Sequence, residues 1–141
     1  KHRFSHFGQN TEKRYFGQSC ANFMKSDLPE ISWTQRILAL LGQREIFEIE
    51  GESMSPTLIE GDLALVNFQA EIKEGDIVLA HHPLEKGSKL IKRVWKITPE
   101  GKYFLIGDNL AKSTDSRDFG ELPAKDILGK VEAKLKKNQT L

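Results

Sequence analysis

The chain has 141 residues with 21 basic and 20 acidic side chains, a net charge of +1. That length fits one domain with a short appendage, and so even a balance argues against nucleic acid as a partner. A single cysteine, Cys20, excludes an internal disulfide and any cysteine cluster for zinc, so neither a metal nor another cofactor is expected.

Residues 1–29 are polar and poor in aliphatics, with Phe4, Phe7, Tyr15, Phe16 and Phe23 scattered at no regular period. They read as a disordered or loosely attached segment. Met24 is a candidate natural start, which would leave residues 1–23 outside the natural protein. Residues 30–44 predict one short amphipathic helix. Ser32 and Gln35 form a capping box, Trp33, Ile37, Leu38 and Leu41 share a face, and Gly42 ends it. Packing on the domain is the expected use of that face, with a peripheral membrane contact as the other. No apolar run approaches the roughly 20 residues that a spanning helix needs. The expected location is therefore cytoplasmic, with a peripheral place at a membrane as the alternative.

From residue 45 to 137 the pattern is β. Apolar runs at Ile46–Ile49, Leu63–Phe68, Ile77–Ala80, Leu90–Ile97, Tyr103–Ile106 and Ile127–Leu135 are separated by Gly, Pro, Asp and Asn. Six short strands in so little chain predict a mostly β, compact barrel-like or sandwich fold. The basic end, Lys130, Lys134, Lys136 and Lys137, reads as a solvated tail.

Three segments bear on chemistry. "GESMSPTL", Gly51 to Leu58, sets two serines around a methionine and closes them with a proline. It is either a hydroxyl-rich turn or a rigid turn that holds a nucleophile. A serine needs a base, and the four histidines offer no Ser-His-Asp arrangement; His81 and His82 are adjacent and would point to opposite sides of a strand. Lysine is the other candidate. Its ordinary pKa of about 10.4 keeps it charged at neutral pH, and burial among apolar groups lowers it. "KLIKRVW", Lys89 to Trp95, supplies such a lysine, because alternation places Leu90, Lys92 and Val94 on one face. An edge strand guarded by a charge is the bland account of Lys92. "GDNLAKSTDSRDFG", Gly107 to Gly120, holds Ser113, which could hydrogen-bond a neutral lysine amine, and Asp115 with Arg117, which could pin the loop by an ion pair.

Each segment alone is ordinary. Their order and content together resemble the type I signal peptidase superfamily of serine-lysine endopeptidases, over roughly residues 46–135. The resemblance implies the signal peptidase catalytic core as the fold and a serine endopeptidase as the activity. It places the nucleophile on Ser53 rather than Ser55, with the Ser53 backbone N–H in the oxyanion hole. It puts the general base on Lys92, makes Ser113 the hydroxyl that orients the lysine, and has Asp115 and Arg117 brace the site. The family's last box is usually polar after Gly-Asp-Asn, where this chain has Leu110, Ala111 and Lys112, and the stretch from Arg93 to Ile106 is short. A short member without an anchor is similar to the nickel-type superoxide dismutase maturation proteases. The implied partner is then a precursor protein with an N-terminal leader. A signal peptidase acting on secreted precursors is the alternative. A self-cleaving repressor is a weaker one, since about 45 residues ahead of the β pattern are too few for a winged helix.

Overall fold

In the computed structural model, residues 28–34, 37, 42 and 44–136 are described. The expectations for residues 1–27, with the candidate start at Met24, and for Leu38 and Leu41, lie outside them.

Seven strands form one antiparallel sheet: β1 (Arg44–Glu48), β2 (Leu63–Asn67), β3 (Ile77–His81), β4 (Lys89–Ile97), β5 (Lys102–Ile106), β6 (Leu122–Pro123) and β7 (Ile127–Leu135). Their order across the sheet is β1-β2-β7-β3-β4-β5-β6. The sheet curls into a half-barrel, which gives the barrel-like, mostly β fold that the sequence predicts. All six expected strands are present. β6 is the unexpected one: it is two residues long and ends in Pro123, which has no N–H for a ladder.

β3 shows why the sheet has two apolar sides. Its run Ile77-Val-Leu-Ala80 is buried throughout. Ile77 and Leu79 pack with Ile49, Met54, Leu58 and Val131, whereas Val78 and Ala80 pack with Leu90, Val94, Leu105 and Leu122. A strand covered on both faces is uniformly apolar rather than alternating.

The two Gly-Asp turns are built alike. The Asp62 carboxylate accepts the Ile59 N–H at 3.1 Å and the Asp76 carboxylate accepts the Lys73 N–H at 2.8 Å, each three residues back. Gly61 and Gly75 precede them with φ of +88° and +93°, which a side chain would strain. Each turn delivers the chain into a strand.

The stretch ahead of β1 departs from expectation. Ile31 is buried against Leu65, Ala133 and Leu135, and its N–H donates to the Lys134 carbonyl. Trp33, Thr34 and Ile37 are helical, but Trp33 is 72% and Ile37 49% exposed. The described part of the expected apolar face is therefore not packed on the domain, because Ile31 rather than Trp33 fills the available space. The basic end departs too. Lys130 pairs with Asp76, and Lys134 donates to the Thr57 carbonyl at 2.8 Å, so neither belongs to a solvated tail.

Candidate active site

Three pieces of the chain meet around one cleft. The excursion from Ile49 to Asp62 between β1 and β2 carries Ser53, β4 carries Lys92, and the loop after β5 carries Ser113 and Asp115.

The serine turn is anchored by what lies beside it. Met54 is 2% exposed in the core, and its carbonyl accepts the Leu58 N–H at 2.9 Å. The excursion is closed at its base, where Ile49 N–H meets the Asp62 carbonyl and Gly61 N–H the Ile49 carbonyl, both at 2.8 Å. Gly51 has φ +75° and nothing within 4 Å of where a Cβ would sit. Glycine is needed there for its backbone conformation rather than for a close approach to another chain segment.

The loop after β5 grips that turn at three points. Asn109 N–H donates to the Ser53 carbonyl at 2.9 Å. Thr57 Oγ1 donates to Asp108 Oδ2 at 2.6 Å, and Lys112 pairs with Glu52. Asp108 is itself held from β4, because Arg93 Nε and Nη2 bond its two carboxylate oxygens at 2.8 and 2.7 Å. Both side chains are about 1% exposed. A third Arg93 nitrogen, Nη1, donates to the Gly75 carbonyl at 2.7 Å. A planar guanidinium suits this task because its donors are fixed in a fork. Sequence reading quoted Arg93, Thr57 and Asp108 within the motifs yet gave them no role. Their neighbours in "IKRV" and "GDN" were the only signal.

Lys92 is 6% exposed. Its register partner on β3 is Val78, and Leu90 and Val94 share its face, both buried. Burial holds its pKa below the ordinary lysine value; the Asp115 carboxylate pulls the other way and the Arg117 guanidinium reinforces the burial. Asp115 is fully buried and has a low pKa. Burial alone would raise it, but hydrogen bonds from Arg117, Gly107 N–H and Ser113 outweigh that. An ionised carboxylate only accepts, so Ser113 Oγ spends its proton on Asp115 Oδ2 at 2.7 Å. The Ser113 oxygen is then left to accept from an amine. Arg117 bonds both Asp115 oxygens at 2.8 and 2.9 Å and also the Leu110 carbonyl at 3.0 Å. Asp115 additionally caps the single-turn helix Ser116–Phe119.

Ser53 and Lys92 line the same cleft, of about 260 Å³, with Phe47, Glu48, Ile49, Glu50, Leu79 and Ile91 among its walls. Among the described residues no hydrogen bond joins the two side chains, and none joins Lys92 to Ser113. Such bonds tighten in a reacting complex. Ser55 lies on the same turn, where its N–H donates to the Glu52 carbonyl at 3.1 Å. His82 caps the β3–β4 turn, its Nδ1 accepting the Leu84 and Glu85 N–H groups. Among the described residues no group of three His, Cys, Asp or Glu is placed to hold a metal ion.

The sequence matches the family described as signal peptidase, peptidase S26, over residues 34–97 and 95–135. It is similar to mitochondrial inner membrane protease subunit 1 of Mus musculus, with 32% identity over 104 residues, 57% of this chain and 63% of that protein. The subunit 1 of Saccharomyces cerevisiae is 31% identical over 125 residues, 63% of this chain and 66% of its own length. A probable signal peptidase I-1 of Synechocystis sp. is 27% identical over 89 residues, 60% of this chain and 45% of that protein. The chain thus spans less than two thirds of each of these relatives. They overturn the expected cytoplasmic location, because the first two are proteases of an inner membrane. The sequence argument had rested on apolar run length, which does not report where a catalytic domain works. No described helix is long and apolar enough to cross a membrane.

Proposed function

As the chain belongs to the signal peptidase family, peptidase S26, and so to the serine peptidases that process precursors, we propose that it removes N-terminal leaders with Ser53 as nucleophile and Lys92 as base. The observation that carries this reading is the meeting of Ser53 in one cleft with a buried lysine whose pKa is lowered. On this reading residues 45–137 are the catalytic unit.

Neutral Lys92 takes the proton of Ser53 Oγ as the oxygen bonds to the scissile carbonyl carbon. The Ser53 N–H donates to the oxyanion. Protonated Lys92 then gives its proton to the leaving amine as the C–N bond breaks. Water, deprotonated by Lys92, releases the acyl group and restores the serine. Ser113 accepts from the amine and holds it in place, while Asp115 and Arg117 fix Ser113.

The strand edges support an extended substrate. Among the described residues β1 pairs only with β2, which leaves its outer edge open. β4 pairs with β3 from Lys89 to Arg93, but with β5 only from Arg93 onward, so among the described residues Lys89–Lys92 has one open edge. Both edges border the cleft, and a peptide strand adds to such edges with alternate side chains entering it.

The similarity to an inner membrane protease subunit and to a probable signal peptidase favours a secretory precursor as substrate. The narrower reading, maturation of a nickel-type superoxide dismutase, is supported only by the Leu110-Ala111-Lys112 departure and the short β4–β5 connection. Incubation with a secretory precursor and with a nickel-type superoxide dismutase precursor, followed by mass spectrometry, separates them. A single Ser53-dependent cut in the secretory precursor is expected; faster cleavage of the other would reverse the assignment.

A further inference from the structure

The cleft carries a charge pattern that proteolysis itself does not require. Four of its lining residues are ionisable: Glu48 and Glu50 on one wall, Lys89 and Lys92 on the other. Lys92 must be neutral to act as base, and the Lys89 ammonium lies 5.0 Å from the centroid of the Phe47 ring, drawn to its electron-rich face. The third glutamate of this stretch, Glu52, is paired with Lys112. Glu48 and Glu50 are exposed, and neither forms an ion pair among the described residues. Among the described residues the working cleft therefore has two carboxylates outside any ion pair on the wall that leads to the nucleophile.

Alternation decides what they meet. Ile49 is buried in the core and Phe47 packs partly buried against it, whereas Glu48 and Glu50 take the intervening positions. The Ile49 N–H bond to Asp62 continues the pairing one residue past Glu48, and the buried Ile49 beside the exposed Glu50 keeps this parity as far as Glu50, where Gly51 turns the chain. A peptide strand added to the outer edge of β1 would split its side chains the same way. One set enters the apolar space by Phe47 and Ile49; the other lies beside Glu48 and Glu50, at the roughly 5 Å of a cross-strand pair.

Resting on the Ser53–Lys92 reading of the cleft, we propose that the enzyme selects leaders carrying a cationic side chain at the positions beside Glu48 and Glu50, which alternate with those entering the apolar space by Phe47 and Ile49. Glu48 and Glu50 are the residues that read this charge. Cross-strand pairs of opposite charge are favourable and like charges destabilise, so the selection combines attraction of a basic leader with rejection of an acidic one.

Three peptides that differ only in having Lys, Gln or Glu at those positions test it. The wild-type order of kcat/KM should be Lys, Gln, Glu, with about tenfold between the extremes, carried by KM and shrinking at about 0.5 M salt. In E48Q/E50Q the Lys-to-Glu ratio should fall to about one, and in E48K/E50K it should invert. A ratio that survives E48Q/E50Q, or no charge preference in the wild type, overturns the proposal. Binding of the same peptides to the Ser53→Ala chain keeps the charge question apart from the chemistry. The same order of affinity there supports charge reading, and equal affinities for all three refute it. Peptide cleavage undiminished by Ser53→Ala would instead sink the Ser53–Lys92 reading on which the proposal rests.

Discussion

Gly107 is pressed against Ser113: a Cβ on this glycine would overlap the Ser113 hydroxyl and lie 2.6 Å from the Ser53 carbonyl oxygen. One residue without a side chain thus lets the supporting serine and the nucleophile's backbone approach. Gly107→Ala must push one of them away, at a cost of about 1–3 kcal/mol for overpacking. We expect a lowered Tm and a loss of cleavage larger than the stability change explains. Thermal melts and peptide kinetics on the same preparation check this.

Ser53→Ala should lower peptide cleavage on the order of a thousandfold or more, whereas Ser55→Ala should stay within about threefold. The Ser55 contact that shapes the turn is its backbone N–H to Glu52, which alanine keeps. Equal losses in two folded variants would move the nucleophile.

The pH dependence follows from Lys92. Activity should rise with pH through a pKa below that of free lysine, as the buried amine becomes neutral. Removing the guanidinium with Arg117→Gln takes away a charge that lowers this pKa, so the rise should move to higher pH. The stability sign is also fixed. The folded chain binds fewer protons than the unfolded one between Lys92's lowered pKa and the ordinary 10.5, so stability grows as pH climbs through that window. Lys92→Met should be inactive and should remove that growth. Denaturant melts across alkaline pH and rate profiles measure both.

The Arg93–Asp108 pair is buried, and losing one partner strands the other. Arg93→Met should cost about 3–5 kcal/mol, since Asp108 would keep only Thr57 and its remaining contacts. Asp108→Asn, which retains an acceptor for Arg93 and Thr57, should cost less. Urea melts of the two variants give the comparison.

The sequence by itself determined the strands, because short apolar runs and the Gly-Asp turns between them are local, and the nucleophile and base candidates, because "ESMSP" and "IKRV" are contiguous. It also placed Lys92 between Leu90 and Val94, both buried with it. What no local pattern encodes is which edges the curled sheet leaves open. The cleft arises because, among the described residues, β1 ends the sheet while β4 is unpaired along one side before Arg93. The partners of Arg93 were hidden for the same reason. Asp108 and Gly75 lie in separate turns of the chain, and Thr57, which also bonds Asp108, lies on the serine turn; only the folded sheet brings them together. Where the helix face at Trp33 rests was not legible, because amphipathicity says that a face is apolar, not what covers it; it is Ile31 that meets the β7 backbone. Local rules act over a few residues, whereas a site joined from a turn, a strand and a loop depends on contacts that form only on closure of the half-barrel.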